Sequence, residues 1–119
     1  MLHYASLNVA DLGRAAAFYD AVVAPLGWRR QEDGPEVVGW GLTKPELYVT
    51  VGRSAVPGFG MISLAAKSIP AVKASFESGV ENGGEPVDKP GSAPALGPGN
   101  YAARLRDPDG YVVEICVAP

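Results

Sequence analysis

The sequence predicts an α+β domain built from two β-α-β-β-β modules. Three observations predict it. Apolar and polar residues alternate over 4–9 and again over 61–66, and each run leads into an apolar stripe of helical period. Ser6, Leu7, Val23 and Gly27 recur as Ser63, Leu64, Val80 and Gly84, each 57 positions further on. The 15 Gly and 11 Pro are spread along the chain and supply the turns that many short strands need. At 119 residues, 47% hydrophobic and 19% charged, the chain suits a single globular domain, 1–119, with one core. The modules are expected at about 1–55 and 58–119.

In the first module, Ala5, Leu7 and Val9 share one face of a strand, and Tyr4, Ser6 and Asn8 share the other. Asp11 suits an N-cap for a helix whose stripe is Ala15, Phe18, Val22 and Leu26, ended by Pro25 and Gly27. Three short strands follow, Trp28–Glu32, Val37–Leu42 and Leu47–Val51, parted by Asp33-Gly34-Pro35 and Lys44-Pro45. Val56-Pro57-Gly58 reads as a linker. The order then restarts with the strand at 61–66. Ser68 is the expected cap of a second helix, with stripe Ile69, Val72, Phe76 and Val80, and Gly83-Gly84 ends it. A weak strand at Glu85–Asp88 leads into a loop from Lys89 to Gly99. Strands Tyr101–Arg106 and Tyr111–Val117 close the chain around the turn Asp107-Pro108-Asp109-Gly110.

On the last strand Val113, Ile115 and Val117 form an apolar face, which aims Val112, Glu114 and Cys116 the other way. With one helix per module, each sheet keeps one face free of helix. That face carries Tyr4, Ser6, Met61, Ser63 and Glu114, a mixed set suited to a small-molecule cavity. A regular hairpin turn adds Tyr101, Ala103 and Leu105 to the Glu114 face and points Arg104 at the helices. Trp28 and Trp40 are expected in the core, and Cys116 as an inert thiol.

The net charge of −3 and the lack of a basic run longer than Arg29-Arg30 argue against nucleic acid as a partner. No apolar stretch approaches the roughly 20 residues of a membrane span, and no basic leader precedes one, so a cytoplasmic protein is expected. A single Cys fits a reducing compartment. One His and one Cys cannot build a zinc site made of those residues alone.

The run Ser6-Leu7-Asn8-Val9-Ala10-Asp11, then Phe18-Tyr19-Asp20 and Ala24-Pro25-Leu26-Gly27, resembles the opening of the glyoxalase, bleomycin-resistance and extradiol dioxygenase superfamily. The ending Arg106-Asp107-Pro108-Asp109-Gly110-Tyr111-Val112-Val113-Glu114 resembles that family's closing hairpin. The resemblance spans nearly the whole chain. It implies the glyoxalase-like fold, with paired modules forming a cup-shaped mixed sheet, commonly as a homodimer. It also implies a divalent metal in the cup of active members and a metal-free drug-binding cup in others.

By the same resemblance, the first usual ligand position, commonly His or Gln, is Tyr4, an aromatic wall at neutral pH. His3 is one residue out of step with it. The second, commonly His, is Met61, whose thioether suits copper(I) and not an oxygen-rich divalent site. Only Glu114, on the last strand, matches a usual ligand. The strand Leu47–Val51 offers Tyr48 and Thr50 in place of a carboxylate. The expectation is a binding protein with a degenerate metal site and no cofactor. Its small organic ligand would lie in a cup lined by Tyr4, Ser6, Tyr48, Met61, Ser63, Tyr101 and Glu114. The alternative is a divalent-metal-dependent lyase, isomerase or dioxygenase using Glu114 as catalytic base or metal ligand, with Tyr4 as acid or second ligand.

Overall fold

The computed structural model of the protein describes residues 2–52 and 60–119. The linker expected at Val56-Pro57-Gly58 lies outside the described residues. The first module runs β1 (Ala5–Val9), α1 (Leu12–Val23), β2 (Arg29–Asp33), β3 (Val37–Gly41) and β4 (Leu47–Val51). The second runs β5 (Met61–Ala65), α2 (Ile69–Glu81), β6 (Glu85–Ser92), β7 (Tyr101–Arg106) and β8 (Val112–Val117). The α+β class and the repeated β-α-β-β-β order are as the sequence predicts.

Each module makes its own four-stranded sheet, in the orders β1-β4-β3-β2 and β5-β8-β7-β6. In both, the first and last strands of the module pair in parallel and the other pairs are antiparallel. The parallel pair follows from the helical crossover, which returns the chain to its starting side. Both predicted caps are present. The Asp11 carboxylate accepts the Arg14 N–H at 3.0 Å, and the Ser68 hydroxyl accepts that of Ala71 at 3.2 Å. Past α1, Pro25 lacks the N–H that would continue the helix. Residues Ala24–Leu26 therefore tighten into a 3₁₀ turn, closed by Gly27 at φ 85°.

The helices and one continuous core lie between the two sheets. Phe18, Tyr19 and Val22 of α1 join Trp40 and Val49 of the first sheet and Leu105, Val113 and Ile115 of the second. The hydroxyl of Ser75 on α2 donates to the Val22 carbonyl at 2.7 Å, a buried bond that ties helix to helix. The helix-free face of each sheet is thus turned away from the shared core. No described helix is long and apolar enough to cross a membrane.

Strand β6 continues to Ser92, where the sequence suggests a loop from Lys89. Two shifts of register, between Pro86 and Asp88 and between Asp88 and Gly91, absorb the extra residues. β6 is an edge strand, the place in a sheet where Pro86 and Pro90 are tolerated. A 3₁₀ turn, Pro94–Leu96, then leads to β7.

The β7–β8 turn decides which side chains share a face. The Gly110 N–H donates to the Asp107 carbonyl at 3.0 Å, and the Asp107 N–H donates to the Tyr111 carbonyl at 2.8 Å. Gly110 has φ 95°, so the turn is a type I turn followed by a left-handed glycine, one residue longer than a plain four-residue turn. Arg106 therefore faces Val112, and Arg104 faces Glu114. The Asp107 carboxylate braces the loop. It accepts N–H groups of Asp109 and Tyr111, each at 2.9 Å, and the Tyr19 hydroxyl at 2.5 Å.

Burial pushes the Asp107 carboxyl above its ordinary value of 3.8, against the pull of those three hydrogen bonds. A raised folded value means that the native state holds the proton more tightly than the unfolded chain. Asp107 therefore lowers stability as pH rises from its unfolded value through the raised folded one, and contributes no slope above that. D107N keeps an acceptor for the turn and removes the charge. Its urea midpoint relative to wild type should improve as pH rises through that window. A difference that is flat across the window would refute the assignment.

Candidate functional site

The site forms where β5 and β8 lie side by side. Ser63 is in register with Glu114, and Glu114 with Arg104 on β7, so three polar side chains meet on the helix-free face of the second sheet. The Ser63 hydroxyl donates to Glu114 Oε1 at 2.6 Å. Arg104 donates from Nε to Oε2 at 2.9 Å, and its Nη2 lies 2.9 Å from the same oxygen. Glu114 is 3% exposed, which is tolerable for a carboxylate only because both oxygens are bonded and a cation faces it. The Arg104 side chain is 37% exposed and bridges the buried acid to the surface.

A cavity of about 470 Å³ opens beside this group. Its polar walls are Arg104, Glu114, Asp88 and Lys89, and the turn Pro94–Leu96 supplies an apolar wall. Cys116 shares the sheet face. Its thiol donates to Asn100 Oδ1 at 3.6 Å, and burial, with the charge of Glu114, pushes its pKa up. That direction disfavours the thiolate, the form in which a cysteine is nucleophilic.

The predicted lining separates into three groups. Met61, Ser63 and Glu114 share the second sheet's helix-free face, and of these Glu114 borders the cavity. Tyr4, Ser6 and Tyr48 lie together on the first sheet. Tyr4 meets Tyr48 edge-on at 5.2 Å, and the Tyr48 ring spreads over Gly39, where any Cβ would come within 2.9 Å of it. That face is turned away from the cavity across the shared core, so the residues expected to line one cup belong to two separate faces of this chain. Tyr101 is a correction. It pairs with Val117 and packs against the core on the helix side, because the extra residue in the β7–β8 turn reverses the phase of β7. Ala103 and Leu105 go with it into the core.

Arg104, expected to face the helices, takes the place beside Glu114, and the wall from β6 and Pro94–Leu96 was not anticipated. A signal for Arg104 was present. A Gly at the fourth place of the five-residue run Asp-Pro-Asp-Gly-Tyr is the mark of the longer turn.

A divalent metal needs several oxygen or nitrogen donors with free lone pairs and little competing positive charge. Among the described residues, no three His, Cys, Asp or Glu side chains converge. Glu114 already serves Ser63 and a guanidinium, and the side chain in register with Val112 on β5 is the thioether of Met61. Within one chain, the described residues do not supply the donor set of a resident metal.

A family model described as Glyoxalase/Bleomycin resistance protein/Dioxygenase superfamily matches residues 1–115. Among solved structures, the chain is similar to a glyoxalase/bleomycin resistance protein from Albidiferax ferrireducens T118. That match has 26% identity and a TM-score of 0.85, over 98% of this chain and 97% of that one. It also resembles a glyoxalase-related enzyme from Fulvimarina pelagi, at 22% identity and TM-score 0.75 over 98% and 87% of the two chains. The fosfomycin resistance protein FosX from Mesorhizobium loti shares the fold at 13% identity, with TM-score 0.72 over 100% and 92%. No curated protein matches the sequence. Matched over nearly its whole length, with the same fold, the chain belongs to the glyoxalase/bleomycin resistance protein/dioxygenase superfamily.

Proposed function

We propose that this superfamily member binds a small organic molecule on the helix-free face of its second sheet, without a resident metal. A second copy of the chain closes the site in this reading. One observation carries it: both oxygens of Glu114, the one usual ligand residue present, are committed to Ser63 and Arg104. The second copy is supported by the outward faces themselves. Tyr4 is 49% and Met61 48% exposed, and in this reading one such face from each copy makes a wall of the cup.

The test is metal uptake by stripped protein. Titration with Mn(II), Ni(II), Zn(II) and Fe(II) is expected to give no stoichiometric binding, while organic ligands raise the melting temperature. One tightly held ion per chain would reject the metal-free reading. Sedimentation at micromolar concentration is expected to give a dimer, and a monomer would reject closure by a second copy.

A further inference from the structure

We propose that the second-module cavity selects a small organic monocarboxylate, with Arg104 as the fixed cation that receives it. The inference deepens the metal-free reading above and rests on it. Glu114 is unavailable to a ligand, since it is buried and both its oxygens are taken. Arg104 is only partly used. Nε and Nη2 hold Glu114, and among the described residues Nη1 has no partner. A guanidinium carries donors only and stays charged, and with Nε and Nη2 on Glu114 its Nη1 N–H groups remain for a ligand oxygen. Because Glu114 anchors the guanidinium, less side-chain freedom is lost when a ligand docks than at an unpaired arginine. Lys89, on the same cavity wall, adds a second group that can only donate.

The opposing charge is Asp88, in register with Arg104 across β6 and β7. It is exposed on the edge strand and forms no ion pair with Arg104. With two cations, Arg104 and Lys89, and two carboxylates, Glu114 and Asp88, on its walls, the cavity has no large surplus of positive charge. That favours one negative charge on the ligand over several. Pro94 and Leu96 then offer an apolar wall to the body of the molecule.

Benzoate, benzamide and benzylammonium share a ring and differ in the head group, so calorimetric titration of each into the full-length protein reads the selectivity directly. Benzoate is expected to bind at least tenfold more tightly than the other two. The double variant R104Q/E114Q removes both charges together and so leaves no unpaired buried carboxylate. It should lose that tenfold preference while keeping a wild-type circular dichroism spectrum. K89Q should weaken benzoate several-fold, and K73Q, on the exposed side of α2, should leave it unchanged. Equal or tighter binding of benzamide or benzylammonium overturns the proposal. So does benzoate binding untouched in R104Q/E114Q, or no binding of any probe at millimolar concentration. Failure of the underlying reading looks different: stoichiometric metal uptake by the stripped protein.

Discussion

Arg104→Met should destabilise the protein by about 2–3 kcal/mol at neutral pH, read from urea midpoints. Methionine keeps the stem and the packing of arginine, so the loss isolates the guanidinium. What remains is Glu114, 3% exposed, with one oxygen on Ser63 and the other facing no cation. Leaving a buried carboxylate unpaired is the costly half of breaking an ion pair. The partial exposure of Arg104 lets water screen the pair, which brings the figure below that of breaking a fully buried pair. Glu114→Leu should cost less than Arg104→Met, because the cation it leaves behind can reach solvent. The double variant R104M/E114L should recover most of the loss. The cycle then gives a coupling energy for the pair. A double variant no better than R104M would show that Glu114 is not held by Arg104.

The same pair marks where the sequence stops being legible. Alternation within one strand is readable, and it puts Glu114 on the outward face and Val113 and Ile115 in the core. The relation between two strands depends on the turn that joins them. One extra residue at Tyr111 moves every side chain of β7 to the opposite face, exchanging Tyr101 for Arg104 at the site. Helix caps were legible because Asp11 and Ser68 act on amides three residues away. The length of β6 was not, since Pro90 and Gly91 argue against a strand until the partner supplies an edge and a bulge. The placement of the two helix-free faces was also beyond local pattern. It follows from both helices packing between the sheets, through contacts such as Ser75 with Val22.

Those contacts make the two modules one cooperative unit, and Phe18→Ala should show it with a loss of about 4 kcal/mol. Phe18 is fully buried on α1 and meets Tyr19 edge-on at 4.9 Å. Its ring reaches into the second module. A Cβ built on Gly84 would come within 2.6 Å of its Cε1, and one on Gly79 within 3.4 Å. A first-module residue therefore packs where α2 and β7 meet, against glycines that leave room for it. Both tryptophans, Trp28 and Trp40, lie in the first module, and the single cysteine, Cys116, lies in the second. Tryptophan fluorescence and thiol labelling therefore report on different modules during urea unfolding. In wild type the two transitions should coincide. In F18A they should move to lower urea by the same amount, since the lost packing belongs to both sheets. A shift in fluorescence alone would mean that the modules unfold separately, and that the core between the sheets does not couple them.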